Sequence, residues 1–306
     1  MDPRPATQDT LTLDPRLLNR LRGIELRSRY LVEGLYNNRH RTRSFGSSSE
    51  FIEFRQYRWG DEIRHIDWRV YGRTDRHYVR LHEMESIMRV SLLLDTSDSM
   101  RVPPTDSLPG KLDLAAVIAG AVAMMATTHQ DSVGLATLGD RIEEHIPCRQ
   151  GVHHLQLLFQ HLARPRGKGG GNFGELLGQA APRLRRRGVV FVLTDALDDL
   201  EPLFNGLRQL RVREHDVTLV QVLDRAEVTF PFSQMTEFRH PESHRRVVGM
   251  PMAMKARYLQ RLHEHNESLA AFCRSTQVDY LRLDTASDLI SLLPLHFLRR
   301  LDGMTA

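Results

Sequence analysis

The run Leu94-Asp95-Thr96-Ser97-Asp98-Ser99-Met100 follows a short apolar stretch, Val90 to Leu94. It places a carboxylate and two hydroxyls at alternate positions. Oxygen donors at that spacing can wrap one side of a small hard cation, since Mg²⁺ takes oxygen ligands and keeps some of its waters. A second apolar run, Val189 to Leu193, ends in Thr194-Asp195 and offers another carboxylate. Ser97, Asp98 and Ser99 are also ordinary turn and helix-capping residues. A turn alone, however, does not require Asp95 at the end of the run.

These residues need elements to hold them. From about residue 89 the chain alternates short apolar runs with helical patterns. Strands are expected at 90–94, 132–138, 142–146, 189–193, 217–223 and 278–283, and helices at 111–128, 152–162, 174–187, 200–210, 252–275 and 287–301. Runs apolar at every position fit strands buried on both faces. The alternation argues for an α/β fold, an open and mainly parallel sheet with helices on both faces. Ligands of such sheets sit beyond the carboxyl ends of the strands, where the strand order reverses. Asp95 and Asp195 both fall at strand ends of that kind.

Upstream, residues 1–14 read as a disordered tail and 15–88 as an N-terminal segment packed on the core. A helix is expected over 15–36, and a Gly/Ser/Arg-rich loop over 37–49. Residues 50–88 are dense in charge and aromatics without a helical or strand period. Trp59 and Trp68 are expected to pack this segment onto the sheet, beside an ion-pair network of Arg55, Arg58, Asp61, Arg64 and Asp67. The main domain runs over 89–306, with a small β excursion near 228–250 around His240-Pro241-Glu242-Ser243.

Composition narrows the function. The 306 residues are 41% hydrophobic and 26% charged, which excludes a disordered chain or a disulfide scaffold. Cys148 and Cys273 are far apart and in no CxxC pair, so a cysteine-based zinc site is excluded and a reducing compartment fits. No stretch reaches the ~20 apolar residues of a membrane span, and the N-terminus lacks a secretory layout. The expectation is a cytoplasmic protein with no membrane span. The net charge of +4 is spread among arginines that alternate with acids; only Lys111, Lys168 and Lys255 are lysines. Nucleic-acid binding is not expected, because the single dense run, Arg183 to Arg187, fits a helix end better than a binding stripe.

Competing motifs fail on context. Gly169-x-Gly171-x-x-Gly174 follows a helix rather than the first strand of a βαβ unit. Lys168 is followed by glycine, which breaks a Walker A reading. His153, His154, His161, His263 and His265 lack a metal-binding frame and suit surface or half-buried positions. A phosphatase with Asp95 as nucleophile would need an acid/base two residues on, where Ser97 stands.

The Asp-x-Ser-x-Ser run, with Thr-Asp ending a later strand, resembles the metal-ion-dependent adhesion site of von Willebrand factor A-like domains. The preceding blocks Ser49-Glu50-Phe51, Arg55-Gln56-Tyr57-Arg58-Trp59-Gly60-Asp61, Arg64-His65-Ile66-Asp67-Trp68-Arg69 and Arg73, leading on through Glu83 and Glu85, are similar to the signature of domain-of-unknown-function family 58. The resemblance implies a metal set of Asp95, Ser97, Ser99, Asn172 and Asp195 holding Mg²⁺ or Mn²⁺. Asn172 stands where that pattern normally has threonine; its side-chain carbonyl is also a hard oxygen donor. The implied function is non-catalytic: a metal-dependent module binding a protein partner through an acidic side chain, and an adaptor for a MoxR-type AAA+ ATPase in protein maturation or complex assembly. A metal-free scaffold of the same fold is the alternative, and a phosphatase-like hydrolase a distant one.

Overall fold

The computed structural model describes residues 23–42, 54–57, 59, 68–80, 87–104, 108–164, 169, 171–184, 187–242 and 245–293. The chain divides into two compact units: residues 40–87, and the rest.

The larger unit is built on six strands: β3 (Arg89–Asp95), β4 (Ser132–Leu138), β5 (Ile142–Arg149), β6 (Val189–Thr194), β7 (Asp216–Leu223) and β10 (Asp279–Asp284). Their order is β10-β7-β6-β3-β4-β5. All neighbours are parallel except β5, which runs antiparallel to β4 at one edge. The open, mainly parallel α/β sheet expected from the sequence is therefore what forms. The chain moves outward from β3 through β4 to β5, then returns to β6 on the other side of β3. The gap between β3 and β6 is thus the point where the order reverses.

Every residue of β4 and β6 is buried, as are Val90 to Asp95 of β3, because helices cover both faces. On one face Leu92, Leu94, Leu135, Phe191 and Leu193 pack against α3 (Lys111–Thr128). Helix α1 (Ile24–Thr42) joins this layer through Leu31, Val32 and Leu35. Its Ser28 Oγ donates to Val117 O at 3.1 Å, and a Cβ on Gly120 of α3 would lie 2.4 Å from that hydroxyl oxygen. On the other face Leu93, Val190, Val192 and Leu219 pack against α5 (Phe173–Ala180), α6 (Leu200–Val212) and α8 (Pro251–Ser275). The period-two alternation of strand side chains sends Leu92 and Leu94 to one layer and Leu93 to the other.

Between β5 and α5 lies α4 (Val152–Ala163). The short α7 (Arg225–Thr229) follows β7, and α9 (Leu289–Leu292) follows β10. The β excursion is an antiparallel hairpin of β8 (Thr236–Arg239) and β9 (Arg246–Gly249).

The smaller unit pairs β1 (Phe54–Gln56) with β2 (Tyr78–Arg80), with α2 (Trp68–Thr74) between them. Tyr71 stacks on His77 at 4.4 Å, and Trp68 meets both rings edge-on.

Several local expectations are corrected. Residues 37–42 are helical rather than loop: they are polar, but contain neither glycine nor proline to stop a helix. The helix expected over 174–187 ends at Ala180 and passes into a 3₁₀ turn, Ala181–Arg183, around Pro182. Within the smaller unit Trp59 is fully exposed and Trp68 is 58% exposed. The expected ion-pair network falls mostly outside the described residues, as do the tail and residues 294–301 of the last expected helix.

Candidate metal-binding site at the switch point of the sheet

Asp95 ends β3 and Thr194 ends β6, on the two strands that flank the reversal. Asp95 is 2% exposed, and its oxygens are held from two sides. Oδ1 accepts the Ser97 N–H at 2.9 Å, folding the loop back on itself. Oδ2 accepts Thr194 Oγ1 at 2.5 Å, a direct link across the reversal. Ser97 and Ser99 bring their hydroxyls within 2.9 Å of each other. The 3₁₀ turn Ser99–Arg101 is anchored by Met100, which is fully buried. Thr96 N–H donates to Leu138 O at 2.8 Å and ties the loop to the end of β4.

Asp195 is 3% exposed and lies close enough to Asp95 for their charges to repel. Burial first, and that repulsion second, push the Asp95 carboxyl from 3.8 up to about 7 despite three hydrogen bonds that favour its charged form. Asp195 is fixed through its backbone. Its carbonyl accepts Gln221 Nε2 at 3.0 Å, and Gln221 also reaches Asn266 and Tyr280. The next carbonyl, Ala196 O, accepts His265 Nε2 at 2.6 Å. Ala196 itself has a φ of 50°, a left-handed conformation that side chains other than glycine adopt at a cost. The network from β7, β10 and α8 holds that strained turn in place.

Lys111, the first residue of α3, is 1% exposed. Its ammonium lies 2.8 Å from Asp195 Oδ2 and 2.6 Å from Glu227 Oε1. Burial pulls its pKa down, but the Asp195 and Glu227 charges outweigh this and hold it above the usual lysine range. Glu227 is further fixed by a capping box, in which its Oε2 accepts Asp224 N–H at 2.7 Å. Asp195 and Glu227 thus share one ammonium, while the buried Asp95 beside Asp195 has no cationic partner among these groups. Fully ionised, the group would carry two uncompensated negative charges, the charge that one divalent cation supplies.

Four of the five residues singled out from the sequence therefore occupy the two loops flanking the reversal. Asn172 is engaged differently: its Oδ1 accepts Glu175 N–H at 3.2 Å and caps α5. The glycine loop before it touches the Asp95 loop through Asp98 N–H to Gly169 O at 3.3 Å. A carbonyl oxygen has a second lone pair, so capping leaves Asn172 one acceptor position. Among the described residues no group of three or more His, Cys, Asp or Glu is placed to hold a metal ion. The donor set here is two carboxylates and two hydroxyls, which are hard oxygens of the kind Mg²⁺ and Mn²⁺ take. Two of the histidines singled out are engaged elsewhere: His154 Nε2 donates to Val133 O, and His161 Nδ1 pairs with Glu144.

Lys111, Gln221 and Glu227 escape the sequence reading, which noted Thr194 without giving it a role. Lys111 carried one signal. It is one of three lysines in an arginine-dominated chain, and it opens an apolar helix at the end where the helix dipole disfavours a cation.

Helix α3 is the one described helix long and apolar enough to cross a membrane, and it is mostly buried inside the larger unit. Among curated proteins the chain is similar to the uncharacterized protein Rv1480 of Mycobacterium tuberculosis, at 27% identity over 71% of this chain and 68% of that one. Among solved structures it is similar to the conserved hypothetical protein BatB from Bacteroides thetaiotaomicron, with a TM-score of 0.46 and 14% identity over 70% of this chain and 98% of that one. An aerotolerance-related membrane protein from Bacteroides fragilis gives a TM-score of 0.45 and 15% identity over 71% and 100%. The SpRpn10 VWA domain gives 0.39 and 12% over 68% and 94%. The cytoplasmic expectation is corrected on these comparisons: a neighbour described as a membrane protein points away from it, and a cytoplasmic location is withdrawn. Residues 53–268 match the family described as Protein of unknown function DUF58, and the chain belongs to that family.

Proposed function

We propose that the larger unit is a non-catalytic interaction module, in which Asp95, Ser97, Ser99 and Asp195 hold a divalent cation, Mg²⁺ or Mn²⁺, and an acidic side chain of a protein partner completes its coordination. Asn172 would add its remaining lone pair. The observation that carries this reading is the buried pair Asp95 and Asp195, whose mutual repulsion a cation between them would relieve without protonation. Bound there, the cation supplies positive charge and open coordination positions. The protein supplies the rest: Thr194 and Ser97 orient Asp95, the Gln221 and His265 hydrogen bonds fix the turn of Asp195, and Lys111 balances the far oxygen of Asp195.

A protein-binding role fits better than catalysis, because Ser97 occupies the position where a phosphatase would need its acid/base. Phosphatase turnover abolished by Asp95→Asn would reverse this. The partner class we propose is a MoxR-type AAA+ ATPase, following the family resemblance. Co-purification with such an ATPase that is lost on adding EDTA would support it; retention in EDTA would count against metal dependence.

A second reading has its own support. Lys111 already places a cation on Asp195, and Asn172 is occupied in capping, as a metal-free scaffold would have it. Calorimetric titration with Mg²⁺ and Mn²⁺ separates the two. The metal reading expects binding by the wild type that disappears in Asp95→Ala, whereas an absence of heat from the wild type favours the scaffold.

A further inference from the structure

The amino ends of the strands form a second polar cluster, remote from the candidate metal site. Arg89 opens β3 and Gly188 directly precedes β6, whereas Asp95 closes β3 at the other end of a strand about 20 Å long. At this end, across β3, β4 and β5, the face that carries Leu93 opens into a cavity of about 490 Å³, a size typical of small-molecule sites. The cavity exists because the residues that meet there are small. Ser91 Oγ lies 3.6 Å from Cys148 Sγ, and a Cβ on Gly134 would lie 2.9 Å from that sulfur. Helix α5 has already ended at Ala180, and the 3₁₀ turn after it brings Arg183 and Leu184 to the cavity.

The lining carries one sign of charge. Arg89, Arg149 and Arg183 border the cavity, and among the described residues no acid does. Elsewhere in the larger unit arginines find carboxylates: Arg208 pairs with Glu201, Arg211 with Asp216 and Arg225 with Asp284. Among the described residues the three at the cavity form no such pair. The charge of Arg89 is felt inside. Burial raises the pKa of the Cys148 thiol, while the Ser91 hydrogen bond and then the Arg89 guanidinium pull it back. Leu93, Ala136 and Leu184 add apolar surface to the same lining. Like charges gathered around a half-enclosed space attract a counter-ion, and the guanidinium fork matches the oxygens of a carboxylate or a phosphate.

We propose that this cavity binds a small organic anion, a carboxylate or phosphate monoester on an apolar body the size of an aromatic ring, with Arg89 and Arg183 holding the oxyanion and Leu93, Ala136 and Leu184 receiving the body. Ser91 adds a neutral hydroxyl beside the head group. The site shares no residue with the proposed metal centre and lies at the opposite end of β3, so it stands whether or not a cation binds there. Its role is binding alone, with no bond made or broken.

Cys148 reports occupancy, because it lines the cavity while the other cysteine, Cys273, is fully buried. Its alkylation by iodoacetamide, a neutral reagent, is followed by mass spectrometry in EDTA. Phenyl phosphate, phenylacetate and benzyl alcohol are titrated at matched ionic strength, and saturation-transfer NMR reads their binding directly. Wild type, Arg89→Gln, Arg183→Gln and Asp95→Ala are compared, with Arg213→Gln, exposed at the end of α6, as a charge control. At least one of the two anions should slow alkylation saturably, and the tighter one identifies the head group; benzyl alcohol should not. Each cavity-arginine variant should bind that anion about tenfold more weakly, since a charged hydrogen-bond donor is gone. Asp95→Ala and Arg213→Gln should match the wild type. Protection by neither anion, equal protection by benzyl alcohol, or unchanged affinity in either cavity-arginine variant would overturn the inference. None of these outcomes bears on the metal reading, because chelator is present throughout.

Discussion

At the scale of single residues, the site is a problem in buried charge. Asp95, Asp195 and Lys111 are each 3% exposed or less, so each depends on its neighbours for the solvation it has lost. Replacing Lys111 by methionine keeps the length of the side chain and removes the ammonium. Asp195 and Glu227 are then left facing each other, and the loss of stability is expected at about 3–5 kcal/mol by urea unfolding. Asp95 predicts a pH dependence. Its folded pKa is raised to about 7 from 3.8, so in this window the native state keeps a proton that the unfolded chain releases. In EDTA, stability attributable to this group is therefore fully present below about pH 4 and lost as pH rises through about 7. Saturating Mg²⁺ should flatten that slope, since the cation holds Asp95 ionised. Unfolding curves at pH 4.5, 6 and 7.5, with and without Mg²⁺, check both statements. The sequence showed Asp95, Ser97, Ser99 and Asp195 because each stands at or just after the end of a buried strand. It hid Lys111 and Glu227, which lie 116 positions apart and meet only because α3 and α7 start at the same edge.

At the scale of elements, the loops are positioned by helices that pack backbone to backbone. Helices α5 and α6 approach so closely that a Cβ on Gly174 would lie 2.2 Å from Leu203 N. Backbone cannot give way as a side-chain end can, so Gly174→Ala is expected to cost about 1–3 kcal/mol in urea unfolding. Because Asn172 caps α5 two residues earlier, the same variant should also disturb the glycine loop that meets Asp98. The strands were legible because runs such as Val189 to Leu193 are apolar at every position and too short for a helix. Helix ends were less so. Nothing in Asn37 to Thr42 distinguishes a polar helical turn from a loop, and Pro182 ends the α-helix within a segment whose spacing still reads as helical. The hairpin was visible as two β-like pieces. Its attachment to α8 depends on Phe230, Phe238 and Tyr258 meeting, a contact that no local pattern encodes.

At the scale of the whole molecule, the alternation of strands and helices gave the α/β class, and the strand order then fixes where a ligand can sit. Parallel strands that reverse their order leave a crevice at one point, and here β3 and β6 end there in Asp95 and Thr194-Asp195. The sequence could not give that order, because a parallel sheet is assembled from strands that are distant in the chain. Nor did composition give the cellular location, for which the cytoplasmic expectation is withdrawn. If the cation binds only the folded molecule, its effect on stability is set by mass action. At a concentration a hundred times its dissociation constant, Mg²⁺ should contribute about 2.7 kcal/mol and raise Tm by about 5–10 °C. Scanning calorimetry of the wild type and Asp95→Ala reads this directly, with no shift expected in the variant.

The most direct test of the metal centre is crystallographic. Crystals grown in MnCl₂ should show one anomalous scattering peak at the switch point, within about 2.5 Å of oxygens of the Asp95 and Ser97 side chains. Density at full Mn²⁺ saturation with no peak there, and Lys111 still paired to Asp195, would contradict the account and leave the metal-free scaffold in its place.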